Sequence, residues 1–174
     1  ALSSAASDVY KRQLLDMTNL KSVPRTDQVS LEELVDEVFC DLDPIAEKAG
    51  ISIHFNDSSN QDLHTDVTGS YVLLYRAVYN LVENAIRYNK EGGAVRVSAE
   101  ERADTVEILV QDTGSGIPEA DRETIFQPFF RVDKSRSRAY GGVGLGLTLV
   151  RKIVELHGGT IRIAKSDAQG TTFA

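Results

Sequence analysis

The sequence has little cysteine and no long apolar run. Its single cysteine, Cys40, excludes a disulfide within the chain and a cysteine-rich metal site. No apolar stretch approaches the roughly 20 residues that a transmembrane helix requires. Basic residues are in the minority, with 19 Lys and Arg against 26 Asp and Glu, and the formal net charge is −7. This excess of acidic residues argues against non-specific binding to nucleic acid or to an anionic membrane.

The composition is that of an ordinary globular protein, with 41% hydrophobic and 26% charged residues in a chain of 174. This length suits one domain with a short extension. Residues 1–13 match no clear element, and their small, polar start is unlike a signal peptide, so we interpret them as an expression or assembly scar. The apolar spacing from Leu14 to Leu20 is typical of the last turns of a helix. Pro24 ends that helix, and a linker is predicted to about Val29.

Hydrophobic periodicity and capping signals divide the rest of the chain into helices and strands. Ser30 followed by Glu33 forms a capping box, and Gly50 is the predicted stop of the helix that it opens. We interpret Cys40 within that helix as a small core residue. The other predicted elements are strands at 51–55 and about 63–67, a helix at 71–88, strands around 95–97 and 106–110, a helix at 145–156, and strands at 160–164 and 170–174. This order of elements is typical of a two-layer α/β sandwich.

The helix predicted at 71–88 carries two asparagines, Asn80 and Asn84. They are one helical turn apart, so both amides lie on the same face. An amide oxygen is a suitable ligand for a hard cation such as Mg²⁺. Taken alone, however, such a pair is more often part of an ordinary solvated face.

A glycine-rich turn, Asp112-Thr113-Gly114-Ser115-Gly116, directly follows a predicted strand. Its glycines allow the backbone to turn sharply and to come close to a ligand. The Asp112 carboxylate, at the end of the strand, is placed to accept a hydrogen bond from an exocyclic amine. Alone, the pattern is also that of a simple turn capped by an aspartate.

A second glycine-rich stretch, Gly141-Gly142-Val143-Gly144-Leu145-Gly146-Leu147, leads into the helix at 145–156. The free N–H groups and the dipole of a helix N-terminus favour phosphate there. The stretch is neither a P-loop nor a dinucleotide-binding motif, because the required residues and spacing are missing. Residues 113–142 are too long for an ordinary connection and predict a functional loop or lid.

Taken together and in this order, the three stretches resemble the N, G1 and G2 boxes of the ATPase family that includes gyrase, certain chaperones, mismatch-repair proteins and histidine kinases. Phe126 to Asp133 resembles the F box of histidine kinases in particular, and Leu14 to Val23 resembles the end of their dimerisation helix. The segments 157–159 and 170–173 match their usual ending. The resemblance therefore covers residues 14–174.

The resemblance implies a fold and a division of the chain. The fold is a two-layer α/β sandwich of the histidine-kinase ATPase type, with about five strands in a mixed sheet, three main helices and a long ATP lid. Residues 14–28 are then the end of a dimerisation helix and a linker. Residues 29–174 are the catalytic ATP-binding domain, with the lid at about 117–141.

It also implies that the domain binds ATP and Mg²⁺. Asn84 is expected to coordinate Mg²⁺ and Asn80 to lie near the ion, while the side chains of Arg87, Arg131 and Arg136 are expected to reach phosphate. The residues expected to contact the nucleotide, or to shape its site, are Asn80, Asn84, Arg87, Tyr88, Asp112, Gly114, Gly116, Ile117, Arg131, Gly142, Gly144, Leu145, Gly146, Leu147 and Thr171. Among them, Asp112 would accept from the adenine amino group, Tyr88 would pack on adenine, and Thr171 would hold a water beside Asp112. Lys134 and Arg138 are further basic candidates in the lid.

One residue in the N box bears on the type of reaction. Hydrolases of the gyrase type carry a water-activating glutamate at the position of Asn80, and a neutral amide cannot act as a general base. We therefore expect phosphoryl transfer, with catalysis mainly by positioning and neutralisation of charge. His54, His64 and His157 all lack the acidic neighbour of a histidine-kinase acceptor. The acceptor histidine is thus expected on a dimerisation domain outside this chain, and His157 is interpreted as a helix C-terminal residue.

The leading hypothesis is a protein-histidine kinase domain that is inactive in autophosphorylation as this fragment. Its expected partners are the dimerisation and histidine-phosphotransfer domain of the parent kinase and a response regulator, with no nucleic acid or membrane contact. We expect a cytoplasmic monomer, derived from an inner-membrane sensor. The alternatives are a serine kinase of the anti-sigma-factor type, a hydrolysing ATPase of the gyrase type, and a domain that binds nucleotide only for regulation.

Overall fold

The computed structural model describes residues 22–57, 66–132 and 144–174. In these residues the chain forms three helices, a five-stranded sheet and a two-stranded sheet. The helices are α1 (Leu31–Ala49), α2 (Tyr71–Arg87) and α3 (Gly146–Leu156). The strands are β1 (Asp27–Ser30), β2 (Ser52–Asp57), β3 (Asp66–Gly69), β4 (Ala94–Arg102), β5 (Thr105–Asp112), β6 (Ile163–Asp167) and β7 (Gly170–Phe173). None of the helices in the described segments is both long and apolar enough to cross a membrane.

The larger sheet has the strand order β2-β4-β5-β7-β6. Strands β2 and β4 are parallel and the other neighbouring pairs are antiparallel, so the sheet is mixed, as expected. β5 is the central strand, and Asp112 is its last residue. Because β7 pairs with β5 and begins at Gly170, the start of β7 lies beside that aspartate.

Helix α1 begins and ends where the capping signals predict. The Ser30 hydroxyl accepts from the Glu33 N–H at 3.4 Å, and Gly50 adopts the left-handed conformation at the C-cap with φ 66°. The prediction of a core position for Cys40 was wrong, because its side chain is exposed. Cys40 comes two residues after the buried Val38, which turns it by about 200° to the opposite face of the helix.

Strand β1 was not predicted, since its residues were interpreted as linker. It pairs antiparallel with β3, about forty residues along the chain, and completely buries Val29. A four-residue strand with one apolar side chain has no periodicity to detect, and its partner is remote. The structure places β3 slightly beyond the predicted strand at 63–67, of which 63–65 lie outside the described residues. Strand β6 likewise begins three residues later than predicted.

The start of α2 is tied to the end of α3. The Ser70 N–H donates to Nε2 of His157 at 3.0 Å, and Nδ1 of the same ring lies 2.8 Å from the Ile153 carbonyl oxygen. His157 is therefore the C-cap of α3, at the end of the helix as expected, and its ring joins the ends of two helices. Arg25 donates to the Leu156 carbonyl at 2.8 Å, which fastens the linker to the same helix end. These contacts fix the relative position of the two helices that carry the candidate site.

A row of tyrosines connects α2 to α1 along their exposed seam. Tyr71 donates a hydrogen bond to the Glu37 carboxylate, and Tyr75 donates to Asp41. The bond to Glu37, together with burial, raises the pKa of Tyr71 to about 12. Burial and the bond to Asp41 raise the pKa of Tyr75 as well. Both phenols stay protonated, so the seam holds α2 against α1 through phenol donors and carboxyl acceptors.

The predicted lid is described as far as residue 132. It contains two 3-10 turns, Glu119–Asp121 and Thr124–Phe126. Phe126 is buried edge-on against Phe173, at 6.2 Å between ring centroids, so it anchors this segment to the core. Residues 133–143 lie outside the described part of the chain, and with them Lys134, Arg136, Arg138 and Gly142. The extent of the lid therefore stays a prediction.

Candidate nucleotide site

The two asparagines of α2 face the first turn of α3. Asn80 is 9% exposed, and its Nδ2 donates to the Arg76 carbonyl at 2.7 Å. A Cβ added at Gly146 would lie 3.0 Å from Oδ1 of Asn80 and 3.5 Å from Nδ2 of Asn84. The sequence predicted both features separately, and the fold brings them together. A side chain at position 146 would crowd the two amides, so a glycine there lets them lie close to the start of α3.

The first turn of α3 is arranged as an anion site. Its N-cap is Leu145, which is buried and gives no side-chain hydrogen bond to the helix among the described residues. The N–H groups of a first turn have no acceptor within their own helix, so those of α3 are suited to donate to an oxygen-rich ligand, and the helix dipole favours a negative charge there. Leu147 is half-buried against the core, which fixes the helix in place.

Gly144 joins this turn to the F-box segment. It has φ 76°, and the Phe129 N–H donates to its carbonyl at 2.9 Å. A Cβ at Gly144 would lie 2.8 Å from the Phe130 carbonyl oxygen, so the two backbones pass in contact. The Phe129 ring itself is 59% exposed. The base of the predicted lid is thus attached directly to the candidate phosphate site.

Asp112 is a buried carboxylate held by backbone donors. It is 8% exposed, and its Oδ1 accepts from the N–H of Gly114 at 2.7 Å and of Thr171 at 3.1 Å. Burial raises the pKa of Asp112 above its ordinary value, and these two backbone hydrogen bonds oppose that effect. Within the described residues both bonds go to the same oxygen, which leaves Oδ2 to accept from a ligand.

The end of α2 and the turn after β5 are in backbone contact. A Cβ at Gly114 would lie 2.6 Å from the Tyr88 carbonyl oxygen. The Asn89 side chain accepts from the Thr113 hydroxyl at 3.0 Å, and that hydroxyl accepts from the Ala94 N–H at 2.9 Å. The Tyr88 ring, in contrast, is 53% exposed. α2 therefore contributes to both candidate sites. Asn80 and Asn84 lie at the candidate phosphate site, and the C-terminal end of the helix lies at the candidate adenine site.

Two residues behind the turn were missed by sequence reasoning. The Ser166 hydroxyl accepts from the Ile117 N–H at 2.8 Å and lies 3.0 Å from Oγ1 of Thr171. Arg122 donates to the carbonyls of Ser166 at 2.6 Å and Ile117 at 3.2 Å. Gly116, with φ 75°, packs directly on the Asp167 backbone. The signal available in the sequence was the tight turn before Gly170, which pairs Ser166 with Thr171 across a hairpin.

The structure describes only two of the three arginines that were predicted to reach phosphate. Arg87 forms an ion pair with Glu83 one turn earlier, at 2.7 Å, and both side chains are about a quarter exposed. Arg131 is half-buried at the end of the described lid segment. Arg136 and Gly142 lie outside the described residues. The described geometry therefore brings the asparagines and the helix start together and leaves the arginine contributions as predictions.

The donor set suits Mg²⁺ bound together with a polyphosphate. No group of three His, Cys, Asp or Glu side chains within 22–57, 66–132 and 144–174 is arranged to hold a metal on its own. Mg²⁺ commonly takes one or two protein oxygens and completes its shell with phosphate and water. The amides of Asn80 and Asn84, beside a helix start that favours phosphate, fit that chemistry.

The chain belongs to the family described as histidine kinase-, DNA gyrase B- and HSP90-like ATPases, which matches residues 69–174. Within that family it is similar to sensor histidine kinases. It is 37% identical over 164 residues to the sensor-like histidine kinase SenX3 of Mycobacterium tuberculosis, an alignment covering 92% of this chain and 39% of SenX3. The chain thus spans about two fifths of that relative's length.

Solved structures lead to the same class. The catalytic domain of histidine kinase ThkA superposes with a TM-score of 0.72 at 30% identity, covering 84% of this chain and 91% of that one. Full-length ShkA in complex with AMPPNP superposes with a TM-score of 0.82 at 26% identity, covering 99% of this chain and 34% of ShkA. ThkA in complex with response regulator protein TrrA gives 0.76 at 26% identity, covering 97% and 46%. The fold and family expected from the sequence are therefore confirmed, and the domain is an ATP-binding catalytic domain of the sensor histidine kinase type.

Proposed function

We propose that this domain binds ATP with Mg²⁺ and donates the γ-phosphate to a histidine of a dimerisation domain in two-component signalling. The observation that carries the proposal is the convergence of Asn80 and Asn84 on Gly146 at the start of α3. Two side-chain amides beside the N-terminus of a helix would hold Mg²⁺ together with phosphate groups. When bound, Mg²⁺ supplies neutralisation of the phosphate charge.

Adenine is placed at the end of β5 in this proposal. Asp112 accepts from the adenine amino group, and Thr171 holds a water beside it. Gly114, Gly116 and Ile117 shape the pocket, and Tyr88 closes it with its exposed ring. The ShkA complex supports ATP as the nucleotide, since its ligand AMPPNP is an analogue of ATP. Arg87, Arg131 and Arg136 complete the phosphate contacts, with Arg87 exchanging its partner Glu83 for phosphate.

Phosphotransfer is favoured over hydrolysis by the chemistry of α2. Asn80 is an amide, which cannot accept a proton from water at neutral pH. The nearest carboxylate along the helix, Glu83, is paired with Arg87. The reaction then depends on positioning and neutralisation of charge. The alternatives of an anti-sigma-factor serine kinase and a gyrase-type hydrolase receive no support from the relatives, which are sensor histidine kinases.

The partners follow from the same reading. The acceptor histidine belongs to the dimerisation domain of the parent kinase, and the product phosphohistidine is the substrate of a response regulator. The complex of ThkA with TrrA supports such a partnership. We further propose that the domain works in the cytoplasm, as a monomer when separated from a parent inner-membrane sensor.

The test is reconstitution with a separately produced dimerisation domain that carries its histidine. With γ-labelled ATP and Mg²⁺, this domain should become labelled on histidine, recognised as acid-labile and alkali-stable phosphate, and a His→Gln dimerisation domain should stay unlabelled. The 174-residue chain alone should not be labelled. Label on serine would establish the anti-sigma alternative, and release of free phosphate alone would establish the hydrolase.

A further inference from the structure

Behind Asp112 lies a chain of hydrogen bonds in which Ser166, a residue not predicted for the site, links two predicted site residues, Ile117 and Thr171. The Ile117 N–H donates to Oγ of Ser166, and Oγ of Ser166 lies 3.0 Å from Oγ1 of Thr171. The Thr171 N–H in turn donates to Oδ1 of Asp112. Ser166 and Thr171 are both buried. Thr171 therefore holds the Asp112 carboxylate through its backbone N–H, while its hydroxyl is held by Ser166.

The two hydroxyls share one hydrogen bond, so one hydroxyl proton is left to point elsewhere. If Ser166 donates to Thr171, the remaining proton is that of Thr171, on the side of Asp112. If Thr171 donates instead, the remaining proton is that of Ser166, away from the ligand. A buried donor without an acceptor is costly, and the nucleotide side is where water or ligand supplies an acceptor. The first arrangement is therefore favoured.

The direction of that bond decides which purine is complementary. Adenine presents a donor amine beside an acceptor ring nitrogen, whereas guanine presents an acceptor oxygen beside a donor N–H. Asp112 is an acceptor. With Thr171 as a donor to the water proposed beside Asp112, that water accepts from Thr171 and donates a hydrogen bond of its own to the ring nitrogen of adenine. With Thr171 turned round, the same water would be free to accept from guanine.

Arg122 holds this arrangement from outside. Its guanidinium donates to the carbonyl of Ser166 at 2.6 Å and to the carbonyl of Ile117 at 3.2 Å. Arg122 thus joins β6, which carries Ser166, to the loop that carries Ile117. The Ile117 N–H is the group that donates to the Ser166 hydroxyl. The two carbonyls and the Ile117 N–H form one rigid unit around that hydroxyl.

We propose that Ser166, held by Arg122 and Ile117, is a positioning residue that fixes Thr171 as a hydrogen-bond donor and so sets the preference for adenine over guanine. The proposal rests on the nucleotide site proposed above. Ser166 does not touch the nucleotide and acts through Thr171 and Asp112. Ser166 is expected to affect the ratio of ATP to GTP affinity. A merely structural role would leave that ratio unchanged.

The test measures dissociation constants of the 174-residue chain for Mg·ATP and Mg·GTP by titration calorimetry. Ser166→Ala is expected to raise the ATP constant about tenfold, with the GTP constant changed less than about twofold. Ser166→Thr, which keeps the hydroxyl on a strand that tolerates branching, should restore the ratio. Ser98→Ala, the same change on β4, which two strands of the sheet separate from β6, should leave both constants unchanged.

A second variant covers the case in which Ser166→Ala fails to fold. Arg122→Ala loosens the same unit and keeps the hydroxyl, and it should lower the ratio of ATP to GTP affinity about threefold. The two changes should be non-additive in a double mutant, because both act on Thr171. An unchanged ratio in folded Ser166→Ala or Arg122→Ala, or an equal loss for both nucleotides, overturns the proposal. Failure of the wild-type chain to bind either nucleotide instead contradicts the proposed function.

Discussion

Replacing Asp112 with asparagine is expected to weaken binding of Mg·ATP about 10- to 100-fold. Oδ1 of Asp112 accepts from the backbone N–H groups of Gly114 and Thr171. An asparagine must therefore keep its amide oxygen on that side. Its NH₂ group then faces the adenine amine, so a donor meets a donor where a charged acceptor stood. Loss of a charge-assisted hydrogen bond costs about 1.5–3 kcal/mol, which corresponds to that range of affinity.

Titration calorimetry of the folded variant measures this effect. Asp104→Asn provides the matched control, since Asp104 lies exposed in the turn between β4 and β5 and should bind ATP as the wild type does. Affinity for ATP that is unaltered in Asp112→Asn would show that adenine is not read at the end of β5. A preference for GTP in this variant would extend the account, because the new donor suits the guanine oxygen.

Replacing Asn84 with alanine is expected to remove the contribution of Mg²⁺ to ATP binding. Asn84 lies beside the helix start at Gly146, where the phosphates are placed. Without its amide oxygen the cation loses its protein ligand, and the affinity measured with Mg²⁺ should fall about tenfold or more, to the value measured in EDTA. The measurement is therefore a pair of ATP titrations, one with Mg²⁺ and one with EDTA, for each protein.

Asn84→Asp supplies the conservative comparison. It keeps an oxygen ligand and adds a negative charge, so the dependence on Mg²⁺ should be retained or increased. If Asn84→Ala still binds ATP more tightly with Mg²⁺ than with EDTA by the wild-type factor, the cation is held elsewhere. In that case the asparagine pair is a structural feature of the interface between α2 and α3.

Features encoded by local patterns could be predicted from the sequence. The helix boundaries at Ser30, Gly50 and Tyr71 follow from caps and periodicity, which depend on neighbouring residues. The order of the glycine-rich stretches identified the family and placed Asp112 at a strand end. The pairing of Asn80 with Gly146 was implied only by family resemblance, because the two residues are far apart along the chain.

Features that depend on remote partners could not be predicted. Strand β1 exists because β3 pairs with it, and its own residues carry no strand signal. Arg122 acts through backbone carbonyls, which leave no trace in residue type or spacing, and the only sequence signal for Ser166 was the turn before Gly170 that sets it opposite Thr171. Cys40 shows the opposite failure, since its apolar neighbours in sequence lie on the other face of the helix. Apolar neighbours in the sequence are a poor guide to burial in a helix, because the angular position around the helix axis decides which side chains face the core.

The central claim, a domain built to bind ATP with Mg²⁺, is tested most directly by thermal unfolding. A ligand at about a hundred times its dissociation constant stabilises the folded state by about 2.7 kcal/mol, which for a chain of this size raises Tm by about 5 to 10 °C. We expect that rise with millimolar Mg·ATP and a clearly smaller one with Mg·GTP. An unchanged Tm with millimolar Mg·ATP would contradict the account.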